Sequence, residues 1–279
     1  MILIADSGST KCDWALIGWD TDIRITTDGI NPFFCTIQQI EQIIETQLFI
    51  KIKNQQITKI FFFGAGCYEG KKDLIIQILS RYFSNADIIV DSDLKAAATA
   101  LFGDASGIAC ILGTGSNSCL YEAGKIIHNV SPLGYIIGDE GSGAVLGKKF
   151  LGDCLKNQIP HTLQSRFFDK YKLTTFDIIE NLYRKPFPNR FLAGFAPFLK
   201  ENIAEPYVYN LVFNSFIEFF QKNIMQYADY QNYQVSFCGS VAYHFADVLK
   251  DAAYEKGLNL GKIIVSPIDS LIEVYRLTF

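Results

Sequence analysis

Apolar and polar positions follow two different periods along the first hundred residues. Short apolar runs at 2–5 and 12–18 flank a polar turn and predict two strands joined as a hairpin. Apolar residues at helical spacing over 37–48 predict an amphipathic helix with Thr36 as its N-cap. The remaining segments predict, in order, strand 24–27, strand 59–63, helix 72–83, strand 87–90 and an Ala-rich helix 94–101. This half of the chain is therefore α/β.

The same pattern starts again after residue 106, with a strand at 107–112, a turn of small residues and a strand at 118–122. The segments that follow predict a short strand 125–129, helices at 142–157, 161–171, 174–183, 189–202 and 206–228, a strand at 234–238, a helix to 256, a strand at 262–265 and a closing helix. We therefore predict two related α/β domains. Residues 1–104 form the first, completed by helix 267–279, and residues 105–266 form the second, with a helical insertion.

Composition narrows the class of protein. With 279 residues, 49% of them hydrophobic and 19% charged, the chain can fill the cores of two globular domains. Its 25 basic and 29 acidic residues give a net charge of -4 without a basic stripe, which excludes nucleic acid as a partner. No basic leader and no apolar run of about 20 residues occurs, which predicts a cytoplasmic protein without a membrane contact. The seven cysteines are scattered singly and indicate neither zinc nor disulfides.

Two turns of small residues join the first two strands of each predicted domain, Asp6-Ser-Gly-Ser-Thr-Lys11 and Gly113-Thr-Gly-Ser-Asn117. Their backbone N–H groups and hydroxyls can cradle phosphate, and Asp6 can hold hydrated Mg²⁺. The alternative is a pair of plain hairpin turns. Recurrence at the same place in both repeats favours phosphate binding. The candidate phosphate-binding residues are Gly8, Ser9, Thr10 and Lys11 in the first turn and Gly113, Thr114, Gly115 and Ser116 in the second.

Carboxylates are the candidates for acid–base chemistry, because the chain has only three histidines and none stands beside another candidate ligand. Asp91 and Asp93 both lie where a strand meets the Ala-rich helix. The properties of these residues do not decide which of the two is the base, or which of residues 91–93 caps the helix. In Gly138-Asp-Glu-Gly-Ser142, flanking glycines allow close approach of a ligand to the two acids. The alternative is that Asp139 and Glu140 are first-turn acids that favour the dipole of the following helix. Gly239 follows the last central strand. It could let an adenine ring lie on the backbone, or it could simply form the turn between this strand and the next helix.

Together these segments resemble the actin, hexokinase and Hsp70 superfamily, which has two phosphate loops and later adenosine-binding glycines in this order. More narrowly, they resemble the N-acetylglucosamine kinase group of the BadF/BadG/BcrA/BcrD ATPase family. The resemblance implies a two-domain actin-like ATPase fold, a duplicated ribonuclease H-like fold, with a ligand cleft between the domains, and ATP and Mg²⁺ as cofactors. It further implies the roles of these residues: Asp93 as general base toward a sugar 6-hydroxyl, Asp6 near Mg²⁺, Gly239 at adenosine, and Asn31, Asn117 and Asp139 at the sugar.

The predicted function is an ATP-dependent kinase that phosphorylates a hydroxyl of an amino sugar, with N-acetylglucosamine and its 6-phosphate as the first choice. One alternative is an ATPase that activates a partner enzyme through an iron–sulfur cluster held by cysteines between two subunits. Cys110 and Cys119 flank the second loop for such a role, without cluster-like spacing. Another alternative is a nucleotide-dependent sensor. The aromatic helix at 207–227 could serve a homodimer, although core packing explains it better.

Overall fold

The computed structural model describes residues 1–8, 10–18, 22–68 and 70–276. They form two compact units, one comprising Met1–Asp104 with the segment that begins at Ser266, the other comprising Ala105–Val265. Within the described residues, each unit contains one mixed five-stranded sheet with helices packed on it. The α/β prediction is therefore confirmed.

The sheet of the first unit has the strand order β3-β2-β1-β4-β5. Strands β1, β2 and β3 form an antiparallel meander, whereas β1, β4 and β5 run parallel. Register places Ser7 beside Gly64 and Gly64 beside Ser92, so the segments after these three strands leave the sheet at one edge. The strands are β1 (Ile2–Ser7), β2 (Lys11–Ile17), β3 (Asp22–Asp28), β4 (Lys59–Gly64) and β5 (Asp87–Ser92).

Helices α1 (Ile37–Ile43), α2 (Ile50–Ile52), α3 (Lys72–Tyr82) and α4 (Asp93–Phe102), with a closing helix Ile268–Arg276, belong to the same unit. Thr36 caps α1 through a reciprocal capping box with Gln39, as predicted. The helix predicted over 37–48 is interrupted, because residues Ile44–Phe49 adopt π-helical hydrogen bonding that periodicity does not reveal. Trp14 and Phe62 lie in the core of this unit.

The sheet of the second unit has the order β10-β9-β6-β7-β8. Here β6, β7 and β8 form the antiparallel meander and β6, β9 and β10 the parallel part, so the two sheets share one topology. The duplication that the recurring turns indicated is confirmed. The strands are β6 (Gly107–Leu112), β7 (Ser116–Glu122), β8 (Lys125–His128), β9 (Val235–Cys238) and β10 (Leu260–Ile264).

Most helices of the second unit lie between β8 and β9. They are α5 (Gly134–Ile137), α6 (Gly143–Leu155), α7 (His161–Tyr171), α8 (Thr175–Tyr183), α9 (Pro188–Ala193), α10 (Ala196–Glu201) and α11 (Pro206–Lys222), followed beyond β9 by α12 (Ser240–His244) and α13 (Ala246–Glu255). The prediction of a single helix over 189–202 is wrong: the helix is interrupted at Gly194 and Phe195, and α10 begins at Ala196 with Pro197 in its first turn.

The aromatic stripe predicted over 206–228 forms α11, which stops at Lys222 before a 3-10 turn at Ile224–Gln226. Phe216, Phe219 and Phe220 are buried in the core of the second unit, so this stripe is core packing. Among the described residues, no helix is both long and apolar enough to cross a membrane.

Candidate functional site

Two carboxylates lie at the edge where the parallel strands of the first unit end. Asp6 is the penultimate residue of β1, and Asp93 begins α4 directly after β5. Burial, followed by the charges of Asp93 and Asp13, raises the pKa of Asp6 to about 7. Ser266 Oγ lies 3.5 Å from Asp6 Oδ2 and donates to it. This edge therefore holds two acids whose ionised forms repel each other.

The three consecutive polar residues at the junction of β5 and α4 have different partners. Ser92 is the N-cap, because its Oγ accepts the N–H of Lys95 at 3.2 Å. Asp91 Oδ1 pairs with Lys72 Nζ at 2.9 Å. Asp93 Oδ1 accepts the N–H of Leu94 at 2.9 Å, and burial raises the pKa of this carboxyl. The structure thus assigns capping to Ser92 and an ion pair to Asp91, which leaves Asp93 as the candidate base.

The first predicted phosphate loop is a tight hairpin turn. Gly8 N–H donates to Lys11 O at 3.0 Å, and Thr10 O accepts the N–H of Gly29 at 3.0 Å. Thr10 is exposed, and Lys11 Nζ lies 2.7 Å from Asp13 Oδ2 in a partly exposed ion pair. Ser9 lies outside the described residues. Since exposed ion pairs are weak, an arriving phosphate can compete for Lys11.

Asn31 lies beside the same sheet edge. It is 4% exposed, and its Oδ1 accepts the N–H of Phe33 at 2.9 Å. Ser7 Oγ hydrogen-bonds both N–H and C=O of Ile30, at 2.9 and 3.0 Å, which ties this segment to β1. Gly66 follows β4 with φ of +80°, and a Cβ there would lie 2.3 Å from Asn31 Oδ1. Gly66 thus belongs to the surroundings of Asn31, which its place in a Gly-Ala-Gly turn could have suggested.

The second predicted phosphate loop packs against the first turn of α6. Gly113 N–H donates to Gly115 O at 2.9 Å within the turn. Gly143 N–H donates to Gly113 O at 2.8 Å and Ala144 N–H to Thr114 O at 3.1 Å. The first turn of α6 thereby holds the loop in place and leaves the Thr114 side chain exposed.

The side chain of Asp139 contacts this second loop. Its Oδ1 accepts the N–H of Ser116 at 3.3 Å, so that N–H is already engaged and is not free for a phosphate. Burial, followed by the charge of Glu140, raises the pKa of Asp139 to about 6. Asn117 has other partners: its Oδ1 accepts the N–H of Ser118 and the side-chain amide of Asn129, each at 2.9 Å. This oxygen is therefore already engaged, which makes Asn117 a weaker candidate for a sugar contact.

A cavity of about 460 Å³ opens beside the second loop, a size that suits a nucleotide or other small molecule. Its lining is Gly113, Thr114, Gly143, Ala193, Gly194, Ala196, Pro197, Lys200, Glu201, Ser240, Val241, His244 and Phe245. Gly239 precedes the lining residue Ser240; its φ is +122°, and a Cβ would lie 2.3 Å from Leu112 O. The wall that α9 and α10 contribute to this cavity was not predicted from the sequence, because no local motif marks these residues.

The residues around Asp6 fit a divalent cation bound together with substrate. Among the residues that the structure describes, no group of three or more His, Cys, Asp or Glu side chains could hold a metal ion. Mg²⁺ usually takes one or two carboxylates and completes its shell with water and substrate phosphate. Burial of the carboxylate and its repulsion from Asp93 and Asp13 together raise the pKa of Asp6, and a cation at Asp6 would offset both effects.

Several solved structures are similar to this chain over nearly its entire length. A “putative N-acetylglucosamine kinase” from Porphyromonas gingivalis is 46% identical over 99% of both chains, with a TM-score of 0.96. A “putative N-acetylglucosamine kinase” from Chromobacterium violaceum is 18% identical over 98% of both chains, with a TM-score of 0.72. A “putative sugar kinase” from Cytophaga hutchinsonii is 12% identical over 99% of both chains, with a TM-score of 0.51. No family model matches the sequence, and no curated protein does.

Proposed function

Since the chain belongs to the N-acetylglucosamine kinase-like family of actin-like sugar kinases, we propose that it transfers the γ-phosphoryl group of ATP to a hydroxyl of an amino sugar. The first candidate substrate is N-acetylglucosamine, with its 6-hydroxyl as the acceptor. The chain is an ATP-dependent sugar kinase. The observation that supports this finer proposal is the position of Asp93, a half-buried carboxylate without an ion pair among the described residues, which lies beside Asp6 at one sheet edge.

Asp93 accepts the proton of the attacking hydroxyl in this mechanism. The sugar oxygen forms a bond to the γ-phosphorus, the bond from phosphorus to the β,γ-bridging oxygen breaks, and ADP leaves with that electron pair. Burial raises the pKa of Asp93, which makes its carboxylate a stronger base than an exposed aspartate. Asp91 cannot replace it without giving up its pair with Lys72.

The second unit supplies the nucleotide pocket. The cavity beside Gly113 and Thr114 is large enough for the nucleoside, and the N–H groups of Thr114 and Gly115 and the Thr114 hydroxyl donate to phosphate oxygens. Asp6 would hold Mg²⁺, which would supply neutralising charge to the phosphates. Lys11 donates to phosphate as a flexible cation.

Asn31 and Asp139 are proposed to hydrogen-bond the sugar. Asn31 is held by the backbone of Phe33 and by the close approach of Gly66, so its amide is presented in one orientation. The carboxylate of Asp139 can accept from a sugar hydroxyl in addition to the N–H of Ser116. Rigid placement of such groups lowers the entropy lost on binding.

The cysteines do not favour the activator alternative. Cys110 and Cys119 have no exposed surface, and they lie on the adjacent strands β6 and β7 inside the second unit. A cluster shared between subunits needs thiolates at the surface, whereas burial raises the pKa of Cys110 well above its usual range.

The deciding experiment measures ADP release from MgATP with N-acetylglucosamine, N-acetylmannosamine, glucosamine and glucose, with product detection by mass spectrometry. We expect ADP release that depends on one acetamido sugar, a product heavier by one phosphoryl group, and loss of activity when EDTA removes the metal. ADP release independent of sugar, or none, would refute the amino-sugar assignment. Position of the phosphoryl group follows from NMR of the product.

A further inference from the structure

The loop that carries Asp139 has an unusual backbone. Asp139 has φ of +55°, a region that non-glycine residues seldom adopt. Gly138 has no room for a side chain, because a Cβ there would lie 2.0 Å from Pro132 O. Gly141 has a φ of +74°, and a Cβ at this residue would lie 3.1 Å from the Cβ of Phe219. Such a conformation persists only where neighbouring contacts hold it.

Glu140 provides such a contact. It is 8% exposed, and its Oε1 lies 3.1 Å from Lys222 Nζ at the end of α11. Asn223 Nδ2 lies 3.5 Å from Glu140 Oε2. A buried carboxylate is costly without a charged partner, so loss of Lys222 would release this anchor.

The ion pair continues into a row of alternating charges. Lys222 Nζ also lies 2.7 Å from Glu218 Oε1, and Glu218 Oε2 lies 2.5 Å from Lys149 Nζ. Lys149 belongs to α6, whose first residue, Gly143, hydrogen-bonds the second phosphate loop. The row therefore connects the Asp139 loop with the two helices around it.

We propose that Glu140 is a positioning residue for Asp139, which it holds against Ser116 through its ion pair with Lys222. This inference rests on the proposed function of Asp139 as a sugar contact. Adjacent residues of one strained loop here project to different partners: Asp139 to Ser116 and Glu140 to α11. Fixing one side chain therefore fixes the peptide unit that orients the other.

Two lysines lie near the carboxylates of Asp139 and Glu140 and affect them electrostatically. Lys148, from α6, lowers the pKa of Asp139, and its Nζ donates to Tyr135 O at 2.6 Å. Lys222 faces Glu140 rather than Asp139. Replacing Glu140 by glutamine thus removes one negative charge near Asp139, whereas replacing Lys222 frees Glu140 without removing that charge.

The test compares Glu140→Gln, Lys222→Met and Lys222→Arg with the control Lys250→Met, which removes an exposed ion pair of the same unit. For Glu140→Gln and Lys222→Met we expect the sugar KM to rise about tenfold, with kcat and the MgATP KM within about threefold of wild type. Lys222→Arg restores the charge and should stay near wild type, as should Lys250→Met. The double variant Glu140→Gln/Lys222→Met should be no worse than either single change. An unchanged sugar KM in both single variants, or a fall in kcat alone, would overturn the proposal.

A second measurement separates this proposal from the proposed function. Amide hydrogen exchange at Ser116 reports its hydrogen bond to Asp139 whether or not any sugar is turned over. We expect exchange about tenfold faster in Glu140→Gln and Lys222→Met, and unchanged in Lys222→Arg and Lys250→Met. If wild type phosphorylates no sugar while these exchange rates change, the proposed function fails and the positioning stands. Unchanged exchange in an active enzyme would reject the positioning alone.

Discussion

The ammonium of Lys72 lies 2.9 Å from Oδ1 of Asp91, at the strand end where α4 begins. The same oxygen accepts the N–H of Ser92 at 2.8 Å. Asp93 accepts the N–H of Leu94, and its charge adds to burial in raising the pKa of Asp6. Two carboxylates separated by one residue thus have different surroundings: one is neutralised by a cation, and the other lies beside a second acid.

Replacing Asp93 by asparagine should lower kcat by about 10² to 10⁴, because the amide cannot accept the hydroxyl proton. Binding of MgATP, measured by calorimetry, should change little. Asp91→Asn is the matched control: it loses the pair with Lys72 and should keep kcat within about tenfold of wild type. Full activity of Asp93→Asn, or equal losses in both variants, would contradict the role of Asp93.

Sugar binding should weaken as the pH falls through about 6. The pKa of Asp139 is raised from 3.8 to about 6, so its carboxylate is ionised above this value and loses acceptor capacity below it. The raised pKa means that protonation of this group favours the folded state between pH 6 and 4, so protonation of Asp139 does not itself promote unfolding. We expect the sugar KM to rise between pH 7 and 5 in wild type. In Asp139→Asn the KM should be high and nearly independent of pH, and a rise equal to that of wild type would contradict the assignment.

Adding one methyl group at Gly66 should impair the sugar site. Its Cβ would lie 2.3 Å from Asn31 Oδ1, so Gly66→Ala must displace the Asn31 amide. Gly70→Ala is the matched control, because Gly70 has nearly the same φ, +81°, with no described atom within 4 Å of the place of its Cβ. We expect the sugar KM to rise about tenfold in Gly66→Ala alone. Equal values in the two variants would show that backbone strain, rather than displacement of Asn31, is responsible.

Gly239 should tolerate no side chain. Gly239→Ala would bring a Cβ within 2.3 Å of Leu112 O at a φ of +122°. We expect a loss of about 3 kcal/mol in the free energy of unfolding and weaker nucleotide binding. Gly257→Ala, with φ of +63° and open space around it, should cost about 1 kcal/mol and leave binding unchanged. Urea denaturation and nucleotide titration measure both effects, and similar losses in the two variants would contradict the steric argument.

Several features could be predicted from the sequence because their causes are local. Hydrophobic periodicity and turn chemistry suffice for the strands around both small-residue turns, and recurrence of those turns indicated the duplication that the two sheets display. The capping box of Thr36 and Gln39 is also local. The break at Gly194 was missed because apolar residues on both sides of it continue at helical spacing.

The amino-acid sequence by itself determined the α/β class, the duplicated strand pattern and the candidate residues for the chemistry, because side-chain period and backbone preference act over a few positions. Tertiary structure alone decided that Lys72 pairs with Asp91, that Asp139 contacts Ser116, that Gly66 meets Asn31 and that α9 and α10 line the cavity. The partners in each case are far apart along the chain. Their distances depend on how helices and loops pack against the sheet, which no local pattern encodes.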